Sequence, residues 1–86
     1  MSAPTKVQFQ PEWKELLIGT MDDRRFVIEL TMGVQTVYFP TAAKWEASAS
    51  DWARPQWERV RTDLSAWCAQ PKIPLVIEDH AWVDFK

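Results

Sequence analysis

The segment from Pro55 to Ala69, PQWERVRTDLSAWCA, constrains the fold most, because its helical period is unmistakable. Trp57, Val60, Leu64, Trp67 and Cys68 fall at spacings that line one helix face with apolar side chains. Glu58, Arg59, Thr62, Asp63, Ser65 and Ala66 occupy the opposite face. Arg59 precedes Asp63 by one turn, a pairing that stabilises a solvent-facing helix by roughly 0.2–0.5 kcal/mol. Pro55 suits the first turn, where its missing N–H costs no intrahelical bond. Pro71 and Pro74 prevent the helix from continuing. Such a stripe must be buried against something, and the flanking segments read as strands. The helix is therefore expected to lie across one face of a small sheet.

Taken in order, Met1 to Thr5 reads as a loose tail. Val7 and Phe9 then alternate with Lys6, Gln8 and Gln10 in a short strand ending at Pro11. Lys14 to Thr20 reads as a strand entering a polar turn at Met21-Asp22-Asp23. The alternative is a short helix over PEWKELL, with Trp13, Leu16 and Leu17 on one side. Arg25 to Thr31 is a strand with Phe26, Ile28 and Leu30 toward the core and Arg25, Val27, Glu29 and Thr31 away from it. Met32-Gly33 is expected to turn, with Gly33 supplying a positive φ. Gln35 to Phe39 returns as a third strand, ended by Pro40. Thr41 is placed to cap a helical turn over Ala42 to Trp45.

Leu75 to Phe85 closes the chain, with Leu75, Ile77, Ala81, Val83 and Phe85 on one side and Asp79 breaking the pattern. A straight strand of this length would span ~36 Å, against a diameter of about 30 Å for so small a domain. A bulge, bend or turn is therefore expected at Glu78-Asp79-His80. The resulting fold class is α+β: one domain with an antiparallel sheet of four or five short strands in β-β-β-α-β order, covered on one face by the helix of residues 55–69.

An 86-residue chain that is 47% hydrophobic, with six Trp and four Phe, has the material for one core. Its net charge of −2 gives no bulk attraction to phosphate or to an anionic membrane. The single cysteine cannot form an internal disulfide, no leader pattern opens the sequence, and the apolar runs fall far short of the ~20 residues of a membrane span. These features point to a soluble, cytoplasmic protein in a reducing compartment.

Counting removes most chemistry. Gly19 and Gly33 are the only glycines, so no phosphate-cradling loop is present, and one His with one Cys cannot supply the common zinc sets. Cys68 sits on the apolar stripe, where a thiol acts as a small hydrophobe and not as a nucleophile for His80. Asp79, His80 and Asp84 form a conceivable metal set, but a solvated bend is the simpler reading. No catalytic residue, metal or cofactor is expected. Trp57, Trp67 and Trp45 are assigned to the core. Trp82 has the opposite parity to Leu75, Ile77 and Phe85, which sets it beside Glu78, His80 and Asp84. An aromatic ringed by acids suits a basic protein partner. The candidate partner-binding residues are thus Trp82, Glu78, Asp79 and Asp84, with Glu29, the only acid inside an apolar strand. A bulge at Asp79 would instead turn Trp82 into the core. A sheet with open aromatics can also stack single-stranded nucleic acid. Against that rival, Arg24-Arg25 and Arg59 with Arg61 make only small basic clusters. A second copy of the chain is a further candidate partner.

The order of an aromatic strand (Val37-Tyr38-Phe39), a polar step, a Trp–acid pair (Trp45-Glu46), a proline-marked helix and a closing strand resembles the small immunity proteins of bacterial polymorphic toxin systems. The similarity covers roughly Glu15 to Phe85, with Lys44-Trp45-Glu46 as its local signature; Ala47-Ser48 follows where a proline would be expected. The resemblance implies a cytoplasmic non-enzyme that neutralises a toxin by binding it.

Overall fold

A computed structural model describes residues 6–12, 15–21, 24–31 and 33–85. The elements are β1 (Gln8–Glu12), β2 (Leu16–Met21), β3 (Arg24–Thr31), β4 (Thr36–Pro40), α1 (Ala42–Ser48), a 3-10 turn (Arg54–Gln56), α2 (Trp57–Ala69), β5 (Leu75–Glu78) and β6 (Val83–Phe85). The fold is α+β, and its six strands make one sheet in the order β1-β2-β3-β4-β5. β6 pairs antiparallel with β3, and β5 pairs parallel with β4. The expected sheet was smaller and wholly antiparallel, with a single helix.

The extra strand and the parallel pair have one origin. β4 holds the edge of β3 from Glu29 to Thr31 and then leaves into α1. β6 takes over that same edge from Phe26 to Ile28. The closing segment must therefore step sideways, from beside β4 to beside β3, and it breaks between Glu78 and Val83 as it does so. The longest dimension of the molecule is 40 Å, so a straight ~36 Å strand would have fitted. Edge exchange, and not molecular size, breaks the strand.

Both helices pack on the face that carries Leu17, Met21, Phe26, Ile28, Leu30, Val37 and Phe39. α2 adds Val60, Leu64 and Cys68 to this core, as its stripe requires. Trp67 is half-buried against Phe9, and Trp57 donates its Nε1–H to the Pro40 carbonyl at 2.9 Å. α1 is a full seven-residue helix, longer than the single turn expected, because Trp45 anchors it. That side chain is 1% exposed, packs on Phe26, Phe39 and Phe85, and donates Nε1–H to the Ala53 carbonyl at 2.8 Å.

Local chemistry departs from expectation in several places. β1 runs through Pro11 to Glu12, which an edge strand tolerates because its outer N–H positions need no partner. Met21 ends β2 as a core residue; Trp13, Lys14, Asp22, Asp23 and Met32, like Met1 to Thr5, lie outside the described residues. Neither glycine has a positive φ, and among the described residues the left-handed positions are Glu15 and Lys72. The β3–β4 turn is instead closed by Thr31, whose hydroxyl donates to the Val34 carbonyl at 2.8 Å and accepts from the Thr36 N–H at 3.0 Å. Asp63 does not serve Arg59. It accepts the Val7 N–H at 2.9 Å, because this flank of α2 faces the approach to β1. Arg59 is half-buried, and its Nη2 has no hydrogen-bond partner.

Candidate functional site

Strand alternation sends every second side chain to the face that the two helices leave uncovered. One row crosses five strands: Glu12 opposite Leu16, Leu16 opposite Glu29, Glu29 opposite Tyr38, and Tyr38 opposite Val76. The neighbouring row holds Gln10, Ile18, Val27 and Asp84. Directly opposed residues have Cβ atoms about 4.5–5.5 Å apart, so each row is a contact chain. Leu16, Ile18, Glu29, Tyr38 and Val76 are half-buried and Val27 is buried. Among the strand residues on this face, Glu12, Glu29, Glu78 and Asp84 stand against a single base, Arg25. The face is thus largely apolar, with Glu29 at the centre of its long row and the other acids toward its margins.

The residues expected to bind a partner divide unequally. Glu29 lies at the centre of the long row, and Asp84 lies across from Val27, the residue two before it on the same face. Glu78 sits opposite Pro40 beyond Tyr38 and Val76. Trp82, the residue before β6, is 40% exposed, and alternation through Val83 sets it on the Asp84 side. The break at Asp79 does not shift parity, since Val83 and Phe85 still face the core beside Ile28 and Phe26. Asp79 goes elsewhere: its Oδ1 accepts the Thr41 hydroxyl at 2.6 Å, while that oxygen caps α1 by accepting the Lys44 N–H at 3.3 Å. The carboxylate therefore ties the strand break to the start of α1. Glu29 makes no hydrogen bond or ion pair among the described residues.

Sequence reasoning missed Leu16, Ile18 and Tyr38 as members of this face, whereas the parity of the closing strand already sets Val76 there. The signal was present for Tyr38, whose parity in β4 is opposite to that of buried Val37 and Phe39. Leu16 and Ile18 are as apolar as core-facing Leu17, so alternation in hydropathy does not separate them.

Other sites offer less. Cys68 is buried, and desolvation pushes its thiol up to about 11, which keeps it protonated and unreactive. Among the described residues no three His, Cys, Asp or Glu side chains converge as metal ligands. A cleft of about 260 Å³ lies between β1 and α2, lined by Lys6, Phe9, Asp63, Trp67 and Gln70, but its carboxylate is already held by the Val7 N–H. No helix among the described residues is long and apolar enough to cross a membrane. No family model, curated relative or solved structure matches the chain.

Proposed function

We propose that this protein is a binding module that docks another protein on its open sheet face and acts by occupying that partner, as an immunity-type inhibitor does. One observation carries the reading: apolar and aromatic side chains, Leu16, Ile18, Val27, Tyr38 and Val76, occupy neighbouring strand positions around Glu29 on a face that neither helix covers. Contiguous apolar surface on a small domain marks an interaction site more often than chance exposure does. Trp82 and Tyr38 supply the side-chain types that dominate binding energy. The layout shared with immunity proteins supports the inhibitor form of the reading. Single-stranded nucleic acid is disfavoured by the four acids on the same face, which repel phosphate.

The test places a photo-crosslinking residue at position 82 and, as a control, at Glu46 on the exposed flank of α1. Irradiation in the native cell should give an adduct specific to position 82 that proteases remove and nucleases do not. A nuclease-sensitive adduct would install the nucleic-acid reading in its place. Identical patterns from both positions would remove the open face as a docking surface.

A further inference from the structure

We infer that the open face is built to receive a guanidinium: an arginine of the partner enters at Glu29 and lies along the Tyr38 ring. The inference rests on the docking role proposed above and names the chemistry that the docking partner presents. Glu29 is the centre of the argument. It stands in β3 with Leu16 directly opposite on one side and Tyr38 directly opposite on the other. Val27 and Thr31 flank it along its own strand. The residue is half-buried, yet no cation meets it among the described residues. Arg25, the one base among the described strand residues of this face, is separated from it by Val27 along the strand.

A carboxylate between an aliphatic side chain and a phenol ring, with no counter-ion among the described residues, can take a cation that arrives with a partner. Two features favour arginine over lysine. A planar guanidinium can give both carboxylate oxygens a hydrogen bond while its face lies on a phenol ring, which a compact ammonium cannot do. The apolar row through Leu16 and Val76 also accepts the methylene stem of an arginine and its aliphatic neighbours. Charge complementarity selects the class of partner: among the described strand residues of this face Glu12, Glu29 and Glu78 outnumber Arg25, which calls for a basic protein surface. The same balance disfavours face-to-face pairing of two copies, which would oppose like charges.

The experiment follows amide chemical shifts of the ¹⁵N-labelled protein during titration with acetyl-Leu-Arg-Leu-amide. The same peptide with citrulline replacing arginine serves as the neutral isostere. The arginine peptide should shift Leu16, Val27, Glu29 and Tyr38. Glu29→Gln should weaken it by about ten-fold, the loss expected when one charge-assisted hydrogen bond becomes neutral. Glu46→Gln should leave it unchanged. Tyr38→Leu keeps apolar volume and removes the ring, and it gives an independent reading should Glu29→Gln fail to fold. Equal binding of both peptides on this face would overturn the guanidinium site while leaving the docking face intact. Shifts confined to the helices, or absent, would overturn the site and the docking reading together.

Discussion

Gly19→Ala is the sharpest test of how the helix-covered face is assembled. Gly19 sits opposite Phe26 on the buried face of the β2–β3 pair. A Cβ at position 19 would stand 2.2 Å from Phe26 Cζ and 2.7 Å from each Cε atom. The ring must therefore withdraw by more than 1 Å to reach ordinary contact distance. It has nowhere to go, being fully buried among Phe9, Trp45 and Phe85, with ring centroids 6.3, 5.6 and 6.5 Å away. Overpacking of this kind costs about 1–3 kcal/mol. Loss of unfolded-state freedom on replacing Gly returns about 0.4–1 kcal/mol. The net expectation is a destabilisation of about 1–2 kcal/mol, or a melting temperature lower by roughly 5–15 °C for a domain of this size. Urea unfolding followed by tryptophan fluorescence measures it. Phe26→Leu removes the clashing ring atoms, so Gly19→Ala in that background should cost nothing or stabilise. A Gly19→Ala variant as stable as wild type, or an equal cost in both backgrounds, would refute the close approach.

Two further predictions concern the frame around the site. Asp79→Asn should destabilise by about 0.5–1.5 kcal/mol, because the Thr41 hydroxyl loses an ionised acceptor. Thr41→Val should cost less in the Asp79→Asn background than in wild type, the remaining loss being that of the Lys44 cap, and equal costs in the two backgrounds would show that the bond is not a unit. Cys68 should react with a maleimide at pH 8 about 100-fold more slowly than a free thiol, the ratio set by a rise from 9.0 to about 11. The thiol stays protonated in the fold and ionises in the unfolded chain, so its contribution is complete below pH 9 and declines as pH rises from 9 to 11. A urea midpoint that falls equally over that range in wild type and Cys68→Ala would exclude this source.

Much of the architecture is legible in the residues. The stripe of α2 and the alternation of β3 follow from hydrophobic period, since burial on one face must match the geometry of the element. Strand pairing beyond adjacent hairpins is not legible in that way. The parallel seat of β5 and the handover to β6 depend on where β4 leaves the sheet, which Trp45 decides by pulling α1 into the core. The candidate site divides similarly. Parity places Glu29 and Asp84 on the face away from the helices, while for Trp82 it leaves two outcomes open, of which the exposed one is found. Asp79 is lost to a cap whose partner, Thr41, lies far away in sequence and could be found only in three dimensions.

The shared edge of β3 also governs the order in which the molecule can be completed. A chain that has paired β1 through β4 still has an open slot along Phe26, Val27 and Ile28, bounded at one end by β4. Only a strand from the far end of the sequence fills that slot, and it brings Phe85 against Trp45 and Trp52 as it does. Contacts of such long sequence separation form late, after the local hairpins. Until then the slot is a template of unpaired backbone that the β6 of any neighbouring chain could occupy equally well. Refolding yield should accordingly fall with protein concentration, with strand-exchanged oligomers as the competing product. The three residues of β6 act as the latch that makes the fold monomolecular.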